Sequence, residues 1–162
     1  GGQGVVTCDA CNLLGLEVPE FDTETQTQLK KLLAPHAPTP RNPLDFAGGT
    51  RTALHEAEIL DRIASLPYID GIITRAPIRY SGNKPREEMQ DCLKASEVLS
   101  SIPARHGKPV ILQFWRTSTN NIIPQAIAEL LRGSGLPGYD TPEQCARAMY
   151  TLVKYAEIRN WR

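Results

Sequence analysis

The sequence carries no net charge: 18 lysines and arginines balance 18 aspartates and glutamates over 162 residues. A chain so balanced has no general field to draw nucleic acid or an acidic membrane, so any charged ligand must be held by a local site. No apolar run approaches the roughly 20 residues that span a bilayer. The opening, GGQGVVTCDAC, lacks the charged n-region and leucine-rich stretch of a secretory signal. These absences point to the cytoplasm, with no nucleic-acid or membrane partner. Cysteines number four, Cys8, Cys11, Cys92 and Cys145, and three fall inside helical patterns, so reduced, packed thiols are the simpler account. Cys8 and Cys11 form a CxxC, but no second CxxC or paired HxxxH completes a zinc site, and residues three apart on a helix are neighbours with no chemistry at all. No metal is expected. The three histidines are isolated: His106 precedes Gly107 at a helix end, and His55 lies beside Glu56 inside a helix. No nucleophile, base and acid stand in a catalytic arrangement.

What is present is the composition of one globular domain, 41% hydrophobic, with a repeated strand-to-helix alternation. After the glycines, Val6, Ala10, Leu13 and Leu14 read as one helical face ending near Gly15, followed by an extended piece at 16–18. Thr23 with Gln26 has capping-box spacing before a helix carrying Leu29, Leu32 and Leu33. Four prolines at 35, 38, 40 and 43 make a loop. Leu44-Asp45-Phe46 reads as a short strand running into Gly48-Gly49, and Ala53, Ala57, Leu60, Ile63 and Ala64 as a helix. Gly71-Ile72-Ile73-Thr74 and Val110 to Phe114 read as buried strands. Between them lies a charged loop and a helix with Met89, Cys92, Leu93 and Ser96 on one face. After a polar turn at 117–121, Ile123, Ala126, Ile127, Leu130 and Leu131 form a stripe closed by Gly133 and Gly135. Thr141-Pro142-Glu143-Gln144 opens a last helix with Cys145, Ala148, Met149, Leu152 and Ala156 inward. The fold class is therefore α/β: a three-layer sandwich, a mostly parallel sheet with helices on both faces. A glycine loop in such a fold follows a strand, so the expectation is a single domain, 1–162, belonging to a longer protein whose first strand precedes Gly1.

Gly1-Gly2-Gln3-Gly4 at the mouth of a helix is the most informative feature. Glycines let the backbone approach a ligand closely, and the first helical N–H groups point outward beside the positive end of the dipole, where phosphate or carboxylate is stabilised. A flexible chain end is the alternative reading. No Lys-Ser or Lys-Thr follows, so this is not a Walker loop, nor is it a full dinucleotide fingerprint. A second candidate pocket comprises Asn42, Asp45, Gly48 and Gly49, since ligands of open parallel sheets collect beyond the carboxyl ends of strands; Asx side chains that bond the neighbouring backbone are the alternative. Arg75 and Arg79, with Lys84 and Arg86, are candidate anion contacts, or a solvated basic loop.

The string Gly1-Gly2-Gln3-Gly4-Val5-Val6-Thr7-Cys8-Asp9-Ala10, then Gly15-Leu16-Glu17-Val18, then Asn42-Pro43-Leu44-Asp45, resembles the NDP-forming acyl-CoA synthetases, relatives of succinyl-CoA synthetase. Ser134-Gly135-Leu136-Pro137-Gly138-Tyr139 with Thr141-Pro142-Glu143 resembles the family's closing segment, a short strand leading into an alanine-rich helix. The match covers nearly the whole chain. The resemblance implies a flavodoxin-like ligase domain, without activity alone, whose companion domains or subunits bind CoA, carry a phosphohistidine and bind nucleotide (ATP or ADP, or the guanine pair, with Mg) through an ATP-grasp fold, in an oligomer. None of His36, His55 or His106 stands in the family's phosphohistidine setting. The implied chemistry interconverts acyl-CoA, phosphate and NDP with acid, CoA and NTP through acyl phosphate and phosphohistidine. Gly1, Gly2 and Gly4 would bind the phosphoryl group, and no residue would be acid, base or nucleophile. Gln3 stands where the family often has proline, and the segment 75–86 is more basic than the family's loop. A ligand-sensing synthetase-like module of a protein acetyltransferase is the alternative function; a flavin site is disfavoured by the lack of a hydroxyl-rich phosphate loop.

Overall fold

The protein is described from a computed structural model covering residues 1–47, 52–79, 81–114 and 122–160, the side chains of 122–124 and 160 excepted. In chain order the elements are α1 (Gly2–Leu13), α2 (Thr23–Leu32), α3 (Ala53–Ala64), β1 (Ile72–Arg75), α4 (Pro85–His106), β2 (Val110–Gln113), α5 (Ile122–Arg132), β3 (Gly138–Tyr139) and α6 (Pro142–Asn160). The strands form one parallel sheet, order β1-β2-β3, with Ile72 opposite Val110, Arg75 opposite Gln113 and Gln113 opposite Tyr139. Side chains alternate across a strand. Ile72, Val110 and Leu112 enter the larger core with α3, α4 and α5, while Ile73 and Ile111 face α1 and α6. This is the expected open α/β sandwich. Among the described residues no helix is long and apolar enough to cross a membrane.

Two buried stripes build the α3–α4 layer. Ala53, Ala57, Leu60, Ile63 and Ala64, as the periodicity predicted, meet Cys92, Ala95, Ser96, Leu99 and Ile102. Small residues on both helices let the axes approach, and each fully buried aliphatic chain contributes about 1.5–3 kcal/mol. Met89 and Leu93, expected on the inner face of α4, are 39% and 40% exposed; the stripe that packs starts at Cys92. Gly107, at φ +68, gives α4 its left-handed stop after His106.

Helix α1 is rotated from the expected face. Ala10 and Cys11 are buried against Ala146, with Leu14 beside them, but Leu13 is 88% exposed. Residues 6, 10 and 13 and residues 7, 10 and 11 make overlapping stripes; the second packs, with Cys11 buried beside Ala146 and Thr7 reaching Gln113. In α6, the capping box holds: Gln144 N donates to Thr141 Oγ1 (3.2 Å) and Thr141 N to Gln144 Oε1 (3.3 Å). Its first half buries Cys145, Ala146 and Met149, whereas Leu152 and Ala156 are exposed. A helix of 19 residues runs about 28 Å and outreaches strands of four residues, about 13 Å long. On α5, Ile127 and Leu131 are buried, and Ala126 and Leu130 are exposed.

Two further expectations are corrected. Residues 44–46 are not a strand: Asp45 Oδ1 accepts from Ala47 N (2.8 Å), an Asx turn that takes Ala47 to φ +52 and breaks extension, while Leu44 and Phe46 lean on the core. The cap of α2 is Asp22, not Thr23: its Oδ1 accepts from Thr25 N (2.8 Å), and Tyr68 Oη donates to its Oδ2 (2.7 Å). Gln26 instead donates to Phe21 O (2.7 Å). The Thr25 N–H first, then Tyr68, lower the Asp22 carboxyl to about 2. A carboxylate depressed in the folded state stabilises above its ordinary value of 3.8 and loses that contribution as pH falls toward about 2. An NMR acid titration should therefore show Asp22 protonating below the other surface carboxylates, with Tyr68 and Thr25 resonances moving together; a midpoint near 4 would contradict the cap.

Candidate functional site

Helix α1 runs back along the sheet from its carboxyl edge. Thr7, in its second turn, places Oγ1 3.2 Å from Oε1 of Gln113 at the carboxyl end of β2, while Ala10 and Cys11 pack lower down. The helix mouth thus opens beyond the carboxyl ends of the strands, where ligands of open parallel sheets collect. Among the described residues no side chain bonds the first-turn amides of this helix. The Gly4 amide turns back to Gly1 O (2.8 Å), so the outward donors are those of Gly2 and Gln3.

The three glycines differ in what surrounds them. Among the described residues a Cβ at Gly2 would meet nothing within 4 Å, so on their side the backbone is open to approach. At Gly4 it would lie 3.1 Å from Pro43 Cβ, so this glycine lets the 42–47 loop pass close to the helix. At Gly1 it would come within 3.5 Å of Asp45 Oδ2. The Asn42–Pro43 peptide is cis, and the loop delivers Asp45 Oδ2 to 2.9 Å from the Gly1 nitrogen. The other carboxylate oxygen of Asp45, Oδ1, accepts from the Ala47 N–H. Asp45 forms one wall of the mouth, and Asn42, three residues before it, is half-buried. Gly48 and Gly49, assigned to the same pocket, lie outside the described residues, as does the turn at 117–121.

Arg75 ends β1, level with Gln113. Its Nη2 reaches Glu56 Oε2 (3.2 Å), and Arg79 Nη2 reaches Glu56 Oε1 (2.7 Å). Glu56, a carboxylate with 10% of its side chain exposed, thus holds both guanidinium groups near the edge. Neither Glu56 nor Gln113 was singled out by the sequence reading. Both had a signal: Glu56 interrupts the apolar stripe between Ala53 and Ala57, and Gln113 interrupts the apolar run from Val110 to Phe114.

Two of the histidines bond within the fold. His106 Nε2 lies 2.9 Å from Asp61 Oδ1, and His55 Nε2 lies 3.0 Å from Leu32 O. All four cysteines are thiols. Burial raises each of their pKa values, Cys145 to about 11, so none is a ready thiolate. Among the described residues no group of three His, Cys, Asp or Glu side chains is placed to hold a metal ion.

These elements define an open, parallel α/β domain with helices on both faces and a glycine-rich helix mouth at the carboxyl edge of its sheet. Comparison with known proteins takes this further. The chain is 29% identical, across 97% of its length, to the alpha subunit of acetate–CoA ligase (ADP-forming) II from Pyrococcus furiosus. It is 28% identical, across 98% of its length, to acetate–CoA ligase (ADP-forming) I from Archaeoglobus fulgidus. It superposes on the solved structure of PH0766 from Pyrococcus horikoshii OT3 with a TM-score of 0.69 and 26% identity, over 97% of this chain and 34% of that one. No protein-family model matches. The likeness to the NDP-forming acyl-CoA synthetases, carried in the sequence by the glycine loop and the Asn42-Pro43-Leu44-Asp45 segment, thus extends over nearly the whole chain. The chain spans 32% and 20% of the lengths of the two ligases.

Proposed function

We propose that this chain is a domain of a cytoplasmic, NDP-forming acid–thiol ligase, and that it offers the mouth of α1 to a phosphoryl group carried on a histidine of a companion domain or subunit. The observation that carries the reading is the uncapped start of α1 at the carboxyl edge, with the open Gly2 backbone. A phosphoryl group in transfer is anionic throughout, so preorganised N–H donors and a helix dipole stabilise it without supplying a proton. The Gly2 and Gln3 amides would face its oxygens. Asp45 anchors the 42–47 loop and repels an anion displaced to that side, which keeps the group over the amides. Arg75 and Arg79, tied to Glu56, add positive potential at the edge.

In the reaction as proposed, CoA, phosphate and the Mg-bound nucleotide are held by companion domains, and this chain contributes no acid, base or nucleophile. The test uses the protein that carries this chain, with and without residues 1–162, incubated with γ-labelled ATP and then with CoA and a panel of acids. An acid-labile phosphoenzyme should form and be discharged by CoA plus one acid only when the domain is present. The isolated chain should show no ligase turnover. Turnover by the chain alone, or discharge that is indifferent to its deletion, would overturn the reading; absence of any phosphoenzyme in the folded protein would favour a ligand-sensing role.

A further inference from the structure

Gln113 is a buried amide whose hydrogen bonding is half complete. It is 6% exposed, at the carboxyl end of a strand otherwise made of valine, isoleucine and leucine. Its main chain is satisfied by the ladder, the carbonyl accepting from Ala76 N at 2.8 Å. In its side chain Oε1 faces Thr7 Oγ1 (3.2 Å), and Nε2 is buried with no partner among the described residues. An unsatisfied buried donor is destabilising, and leucine of similar shape would avoid that cost. Packing therefore gives no reason for glutamine here.

Its placement does. Gln113 has the parity of Ile111, which packs on Cys145 and Met149 of α6, so its side chain lies on the α1–α6 face of the sheet. There it meets the first two turns of α1, since Thr7 Oγ1 also lies 2.9 Å from Gln3 O. The threonine hydroxyl has one proton for two acceptors. When it serves Gln113 Oε1, the amide is fixed with Nε2 turned away from Thr7; when it serves Gln3 O, the amide can rotate about its last torsion.

We infer that Gln113 is a positioning residue of the α1 mouth: its Nε2 donates to an oxygen of the anion held there, with Thr7 orienting the amide. The inference rests on the phosphoryl-binding reading above and adds a side-chain donor to the main-chain amides of Gly2 and Gln3. It confines the ligand to oxyanions large enough to touch both the helix mouth and the end of β2, a phosphoryl or acyl phosphate group.

Inorganic phosphate titrated into the isotopically labelled 162-residue chain tests it, read by the Gly2 and Gln3 amides and by the Gln113 side-chain NH2. All three should move along one binding curve. Gln113→Leu should weaken phosphate about tenfold, the loss of one charge-assisted hydrogen bond, Gln113→Glu should abolish binding by repulsion, and Thr7→Val should weaken it less than Gln113→Leu. Gln113→Leu should melt no lower than the unmodified chain, because Thr7 keeps Gln3 O; a merely structural glutamine would lower the melting temperature. Gly2 and Gln3 amides that respond while the Gln113 NH2 stays still, or a Gln113→Leu chain binding within twofold, overturn the role of Gln113 and leave the mouth reading intact. Gly2 and Gln3 amides that do not respond overturn both.

Discussion

Aspartate at Gly2 is expected to leave the domain folded and to reduce phosphoenzyme discharge in the complete enzyme by about 100-fold, the scale of losing a preorganised oxyanion contact. The two effects have opposite signs because they have different causes. A negative charge in the first turn favours the helix dipole by about 0.3–1 kcal/mol, and glycine is a poor helix former, so α1 should be firmer. The same carboxylate would stand where nothing lies within 4 Å of a Cβ, over the amides that the phosphoryl group needs, and would repel it. Gly2→Ala is the control: it adds a methyl in open space without charge and should retain most of the activity. Melting temperature and discharge rate measured on both variants decide the matter. A Gly2→Asp enzyme that is stable and fully active would show that the mouth of α1 holds no anion.

Alanine at Leu112 should cost about 3 kcal/mol, while alanine at Leu13 should change stability by less than about 0.5 kcal/mol. Leu112 is fully buried at the centre of the parallel sheet, within the cluster that joins β1 and β2 to α3, α4 and α5. Its neighbours cannot collapse into the gap, because the ladder fixes its main chain between Pro137 O and the Cys145 thiol, which donates to Leu112 O. For a domain of this size the loss should lower the melting temperature by roughly 10 °C, and it is a large share of a total stability of about 5–15 kcal/mol. Leu13 is 88% exposed on α1, although its spacing from Val6 and Ala10 puts it on an apparent inner face. Chemical denaturation of the two variants separates the readings; equal losses would mean that α1 packs on the face the periodicity suggested.

That contrast marks how much was legible. Strong signals survived folding: the strands at Ile72 and Val110, the stripe of α3, the Thr141–Gln144 capping box and the glycine stop after His106 are each local in origin. The errors lie where two local solutions compete. Asp22 and Thr23 can both cap α2, and Tyr68, 46 residues away, favours Asp22. Leu44 to Phe46 can extend, but Asp45 spends its carboxylate on Ala47 and on the Gly1 nitrogen.

The candidate site divides in the same way. By itself the sequence determined the alternation of strands and helices, the parallel α/β class and the glycine-rich opening, because helix and strand periods, caps and backbone freedom act over a few residues. Only the tertiary structure decided that Gly4 makes room for Pro43 while Gly2 stays open, that Arg75 and Arg79 converge on Glu56, and that Thr7 meets Gln113 across 106 positions. Those pairings depend on strand register and on which of two overlapping faces of α1 packs, and both are settled by burial across the whole sheet rather than by any local pattern.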